Sequence, residues 1–121
     1  MIPASALLPV LLFGAVAHAQ EFGEEGRRIF VQRCQTCHGG TGKPDSPLGP
    51  DLKGLLGRKA GAGSSGVHSR AAIEAGTVWT RSSLRRYLSD PPRELPGTLM
   101  YVQIQDPREL DALLNYLETL R

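Results

Sequence analysis

The spacing of apolar positions changes several times along the chain, and each change marks an element. Residues 7–13 form one unbroken apolar run, Leu7-Leu8-Pro9-Val10-Leu11-Leu12-Phe13. From Phe22 to Thr36 the spacing is helical, with Ile29, Phe30 and Cys37 on one side. Glu21, Glu24 and Glu25 stand near its start, where carboxylates favour the helix dipole. Gly26 lies inside this helix at a cost of about 1 kcal/mol relative to alanine. Close approach of another helix would account for it, and so would a tolerated surface position. Residues 41–62 are broken by Pro44, Pro47, Gly49-Pro50, Gly54, Gly57 and Gly61, which predicts a long loop carrying Leu48, Leu52, Leu55 and Leu56 as apolar contacts. Gly63-Ser64-Ser65-Gly66 reads as a flexible tip.

Short helices follow. Ser69 is placed to cap one that runs through Ala75 and ends at Gly76. Thr80 caps another over Arg81 to about Ser89, with Leu84, Tyr87 and Leu88 on its apolar side and Pro91-Pro92 as its stop. Leu95 to Met100 is a loop stiffened by Pro96 and Gly97. The last helix has Asp106 as cap, Pro107 in its first turn and Glu109 to complete a capping box. Its stripe is Leu110, Leu113, Leu114, Leu117 and Leu120. Nothing alternates with period two for long enough to predict a strand, so the fold class is all-α, with short helices and long loops.

The first apolar run changes how much of the chain belongs to that fold. It is followed by Ala17-His18-Ala19, an A-x-A cleavage site, and then by polar Gln20. No Lys or Arg precedes the run, and it is short for the roughly 20 residues a membrane span needs. Residues 1–19 therefore read as a secretory signal peptide cleaved after Ala19, and residues 20–121 as one exported, periplasmic domain without a membrane span. Removal of residues 1–19 from the 121 leaves 102, few for a self-sufficient core, and aromatic residues make up only 6%. The net charge of +2 belongs wholly to the mature part and is too weak a pattern for nucleic acid.

The chemistry sits in Cys34-Gln35-Thr36-Cys37-His38. In an exported protein this C-x-x-C-H spacing reads as covalent attachment of one c-type haem. Two thiols three positions apart each add to a vinyl group, and His38 offers an imidazole nitrogen to the iron. Both cysteines of the chain are used. Zinc needs four ligands, and Cys34, Cys37 and one adjacent histidine cannot enclose a tetrahedral metal without help. A thioredoxin-like motif would need a βαβ pattern that the chain lacks. For the second axial ligand, Met100 is the only methionine beyond the signal peptide, and His68 is the competing histidine. A lysine ligand or an open iron is the remaining possibility. His/Met ligation raises the reduction potential, whereas an open iron permits ligand binding and chemistry.

These residues resemble the class I cytochrome c family, of the mitochondrial and soluble bacterial type, over nearly the whole of residues 20–121. Gly26 to Cys34 with His38 resembles its first helix and haem motif. Leu48-Gly49-Pro50-Asp51-Leu52-Lys53-Gly54 through Arg58 and Lys59 resembles its G-P-x-L-x-G-x-x-G-R loop. Val78-Trp79-Thr80, Leu84, Tyr87-Leu88, Pro91 and Pro96-Gly97-Thr98-Leu99-Met100 resemble the stretch ending at its methionine ligand, and Glu109 to Leu117 resembles its terminal helix. The resemblance implies that the Pro50 carbonyl accepts the proton of His38, and that Arg58 and Trp79 hold a haem propionate. It also implies that Tyr87 hydrogen-bonds near the methionine sulfur and that Thr98 lies toward the propionates. Gly26 and Phe30 would meet the terminal helix.

The chain departs from the family in places. His68 stands where many members have a tyrosine that reaches a propionate, and Ala72 replaces a polar residue near a buried water. Leu99 and Pro92 replace docking lysines, and the stretch from Val102 to Glu109 is about one residue short of the mitochondrial pattern. Arg28, Arg33, Lys43, Lys53 and Arg93 remain for a positive rim. The implied function is single-electron transfer between redox proteins, without bond chemistry. Expected partners are a dehydrogenase, a cytochrome bc1-type complex or a terminal oxidase, with the protein a monomer or part of a small heterocomplex. The alternatives are a dedicated cytochrome subunit of a periplasmic dehydrogenase, or a haem enzyme or gas binder with open iron.

Overall fold

The computed structural model describes residues 14–39, 48–62 and 68–121. The apolar run of residues 7–13 and the Gly63–Gly66 tip lie outside them. Among the described residues six helices follow one another: α1 (Gly14–Arg33), α2 (Gln35–His38), α3 (Arg70–Ala75), α4 (Arg81–Ser89), α5 (Pro91–Glu94) and α6 (Pro107–Thr119). Among the described residues the only β pairing is an isolated bridge between Lys59 and Val78.

The main contact is α1 against α6, and it explains Gly26. A Cβ at Gly26 would run into the Ala112 carbonyl and come within 2.8 Å of the Tyr116 Cβ. The missing side chain therefore lets two helix backbones approach. Phe30 packs tilted on Tyr116 with centroids 5.2 Å apart. The leucine stripe of α6 closes the core: Leu110, Leu113, Leu114 and Leu117 are buried, as are Ile29 and Phe30 opposite. Each such leucine contributes about 1.5–3 kcal/mol by leaving water.

The caps fall where the local sequence puts them. Ser69 Oγ accepts from Ala72 N at 3.1 Å, and Gly76, at φ +68, ends α3 in the left-handed region. Thr80 Oγ1 accepts from Ser83 N at 3.1 Å, while Ser83 Oγ accepts from Thr80 N at 2.8 Å. Ser83 thus completes the capping box that begins α4. Asp106 caps α6 through Arg108 N at 2.8 Å, but no bond from Glu109 back to the cap is present among the described residues.

Three boundaries differ from the expected ones. α1 begins at Gly14, so the glutamates lie inside it rather than in its first turn. The same helix breaks at Cys34 (φ −117°, ψ −40°), and α2 restarts the chain for one turn. Pro91-Pro92 ends α4 and also opens α5, because a proline in the first turn has no N–H to leave unpaired.

Long loops are held by backbone bonds that cross between segments. Gly57 N donates to Trp79 O (2.7 Å), Trp79 N to Arg58 O (2.9 Å) and Ala60 N to Thr77 O (2.6 Å). Gly54 N reaches Leu120 O at 2.7 Å, and Ile104 N reaches Leu88 O at 2.8 Å. Arg81 pairs with Glu118 at 3.0 Å, and Arg85 bonds Asp111, linking α4 to α6. All four side chains are more than a third exposed, so each pair adds little stability.

Candidate haem-binding site

The loop after α2, the Arg58–Trp79 ladder, α4 and the segment following α5 surround one cavity of about 310 Å³. Its wall includes all nine residues singled out from the sequence: Cys34, Cys37, His38, Pro50, Arg58, Trp79, Tyr87, Thr98 and Met100. They come from five separated stretches, and 66 positions separate Cys34 from Met100 in the chain. The rest of the wall is largely leucine, with Leu52, Leu55, Leu84, Leu88 and Leu95 among its members.

The motif side is built by backbone geometry. Cys34 N continues the α1 ladder to Phe30 O at 2.8 Å, and Cys34 O accepts from Cys37 N (3.2 Å) and His38 N (2.9 Å). The one-turn restart thereby groups both thiols and the imidazole on the cavity wall. Cys34 is buried and Cys37 exposed. Burial pushes the Cys34 thiol up to about 11, so it rests as the thiol. Gly39, at φ +76, turns the chain away.

His38 Nδ1 lies 2.7 Å from the Pro50 carbonyl, which can only accept. The ring therefore carries its proton on Nδ1 and leaves Nε2 as a lone-pair donor. Burial holds the imidazole below its ordinary pKa, partly offset by the Pro50 bond. Gly49 admits this ring: a Cβ there would lie 2.9 Å from both His38 Nδ1 and the Cys37 carbonyl. In the sequence Gly49 is a loop residue and the first glycine of the G-P-x-L-x-G-x-x-G-R resemblance, and neither says that it faces His38.

On the methionine side, Tyr87 Oη and Thr98 Oγ1 share a hydrogen bond of 2.6 Å, and Thr98 Oγ1 also accepts from Met100 N at 3.3 Å. The resemblance assigns Tyr87 and Thr98 to different ends of the cofactor, whereas the structure joins them beside Met100. Burial raises the Tyr87 pKa, and the Thr98 contact offsets part of the rise. Replacing Tyr87 by Phe, Thr98 by Val, and both together should give a coupling of about 1 kcal/mol in a urea-denaturation cycle. Additive losses would mean that the pair contributes nothing.

Trp79 is buried and packs on Tyr87 with ring centroids 4.9 Å apart. Arg58 Nη2 donates to the Asp51 carbonyl at 2.6 Å, which draws the guanidinium along the cavity wall. His68 also lines the cavity, and its buried Nε2 has no hydrogen-bond partner among the described residues.

A cytochrome c family model matches residues 23–121. The chain belongs to the cytochrome c family. A cytochrome c type-1 from Ascaris suum is 38% identical over 96 residues, 78% of this chain and 85% of that protein. Cytochrome c2 from Rhodopila globiformis is 37% identical over 98 residues, 80% of this chain and 92% of that one. Among solved structures, cytochrome cH from Methylobacterium extorquens superposes with a TM-score of 0.71 at 36% identity, covering 80% of this chain and 97% of that chain. The class I resemblance and the all-α fold are therefore established. So is one covalent c-type haem as the cofactor of an electron-transfer protein rather than an enzyme. The wall fits such a group: apolar side chains for a flat macrocycle, two thiols, a neutral imidazole and a thioether.

Proposed function

We propose that the mature protein is a periplasmic carrier of single electrons, in which Cys34 and Cys37 hold the haem by thioether bonds and His38 and Met100 are its axial ligands. The observation that carries this reading is the convergence of the C-x-x-C-H turn and the Thr98–Met100 loop on one leucine-lined cavity. When bound, the haem supplies a one-electron Fe(III)/Fe(II) couple. The chain's own residues do the rest. The Pro50 carbonyl keeps the Nε2 lone pair of His38 available, and Thr98 steadies the backbone of Met100. The leucine wall excludes water, and Arg58 and Trp79 neutralise and bind the carboxylate edge.

Export rests on the apolar run and the A-x-A site, with residues 1–19 removed and residues 20–121 remaining. The family match, which begins at residue 23, is consistent with that division. Among the described residues no helix is long and apolar enough to cross a membrane. Partners are a dehydrogenase that donates electrons and a bc1-type complex or terminal oxidase that exchanges them. A second reading, as the fixed cytochrome subunit of a dehydrogenase, is favoured by one feature. Leu99, at a position where the resemblance places a docking lysine, is 63% exposed at the cavity wall, and the nearby Tyr101 is 84% exposed.

The test is expression of the full chain in a host that attaches haem to exported proteins. The purified product should have the mass of a chain beginning at Gln20 plus one haem, and it should titrate as a one-electron couple. A product without haem, or one retaining residues 1–19, would overturn the corresponding half of the reading. Co-purification with a catalytic subunit from the native source would select the second reading over the first.

A further inference from the structure

The segment that carries Met100 is irregular backbone as far as the cap at Asp106. At its start, Thr98 N donates to Leu95 O at 3.0 Å, and Thr98 Oγ1 accepts from Met100 N at 3.3 Å. Farther on, Ile104 is buried and its N donates to Leu88 O at 2.8 Å. Between these fixed points the chain runs along the surface: Tyr101 and Gln103 are exposed, and Val102 is half-buried. A stretch with so few buried side chains opens at a lower free-energy cost than the core beneath it.

A bond reaches this stretch from a distant part of the fold. Arg33 Nη2 donates to the Gln103 carbonyl at 3.0 Å, across 70 positions of sequence. Arg33 is the last residue of α1 and precedes Cys34, whose N continues the helical ladder to Phe30 O. That helix is fixed against α6 by buried Ile29 and Phe30 and by the close approach at Gly26. Arg33 lines the cavity, as do Met100, Tyr101 and Val102. Its guanidinium therefore ties a rigid end of the motif side to the methionine segment through a charge-assisted bond. A cation that served only a docking rim would need no partner in its own chain. Arg33 is bonded instead to the backbone that must move if the thioether is to leave.

We propose that Arg33 is a strap: by holding the Gln103 carbonyl to the end of α1, it resists the outward movement of residues 99–103 that would withdraw Met100 from the cavity. It is a positioning residue, acting through the backbone beside Met100 and not on the cofactor. The proposal rests on Met100 as the second axial ligand, but that reading fails separately. Wild-type ferric holoprotein without the weak red band of bound methionine sulfur would refute it before any variant is made. The strap has a measurable consequence. A ligand that enters only after the segment has opened binds with an apparent affinity scaled by the open fraction. Loss of the strap raises that fraction, and the affinity of the added ligand rises by the same factor.

The experiment titrates ferric holoprotein with imidazole and follows loss of the red band in wild type, Arg33→Met and Arg27→Met. Arg33→Met keeps a long side chain but removes the donor and the charge. Arg27→Met removes an exposed charge from the same helix and leaves the strap in place. Arg33→Met should bind imidazole about fivefold more tightly than wild type, the factor that one hydrogen bond of ordinary strength supplies. Arg27→Met should match wild type. Equal affinity in wild type and Arg33→Met would overturn the proposal. So would an equal gain in both variants, which would mark a general effect of charge. Hydrogen exchange of the holoprotein gives a second readout that a loss of global stability does not imitate. In Arg33→Met the Met100 amide should exchange faster, while the amides of Leu113 and Leu114 in α6 keep their wild-type rates. An unchanged Met100 amide, or an equal acceleration in α6, would overturn the proposal independently of the titration.

Discussion

Gly26→Ala should destabilise the protein by about 3 kcal/mol, whereas Gly23→Ala, one turn earlier in the same helix, should stabilise it by up to about 1 kcal/mol. In both cases alanine removes the backbone entropy that glycine loses on forming a helix. At Gly23 nothing among the described residues, apart from chain neighbours and the helix's own backbone, lies within 4 Å of the new methyl, so that gain is kept. At Gly26 the methyl would run into the Ala112 carbonyl, with the Tyr116 Cβ 2.8 Å away. The obstacle is backbone of a helix whose Ala112, Leu113 and Leu114 are at most 1% exposed, so it cannot rotate aside as a surface side chain would. The two helices must separate, and the contact between Phe30 and Tyr116 loosens with them. Urea denaturation of the haem-loaded variants, followed by far-ultraviolet circular dichroism, measures both changes. Equal stabilities for the two alanine variants would mean that α1 and α6 do not meet at Gly26.

The features legible in the sequence are those set within one turn or one stripe. Ser69, Thr80 and Asp106 cap their helices because a short polar side chain reaches an N–H two or three residues on, whatever the tertiary context. The stripe of α6 reads correctly because one face of a helix buries as a unit. Ser83 shows the edge of such reasoning. It closes a capping box in place of the usual Glu or Gln, while Glu109, which has the usual identity, makes no such bond among the described residues.

What was hidden depends on contacts between distant segments. The break at Cys34 follows from backbone angles at one residue, and no residue type there demands it. Gly49 belongs to a recognisable loop motif, but its steric role shows only when the His38 ring is set against it. The pairing of Tyr87 with Thr98 brings together α4 and the loop after α5, whose approach is set by packing beneath them. The site was legible in a different way. Its residue types were chemically distinctive, so the convergence of Cys34, Cys37, His38 and Met100 could be expected without knowing the path of the loops between them.

Met100→Ala should convert the protein from one that refuses carbon monoxide into one that binds it stoichiometrically in the ferrous state. The argument starts from ligand inventory. Beyond residue 19 the chain has one methionine and, besides His38, one histidine. Both Met100 and His68 line the cavity, but their surroundings differ. Met100 follows a loop braced by Pro96, Gly97 and the Thr98 hydroxyl, and its side chain is partly buried against the core. His68 lines the same cavity as the cationic Arg58 and Lys59. If Met100 is the second axial ligand, alanine removes the only methionine sulfur beyond residue 19, and the ferric protein loses the weak red band that arises from sulfur-to-iron charge transfer. The reduction potential falls with it, because a thioether favours Fe(II) relative to water or a nitrogen ligand. His68→Phe should leave both the red band and the refusal of carbon monoxide unchanged. If instead His68→Phe opens the iron and Met100→Ala does not, the ligand assignment is reversed. If the wild-type protein already binds carbon monoxide, the iron is open, and the carrier reading gives way to a gas-binding or catalytic one.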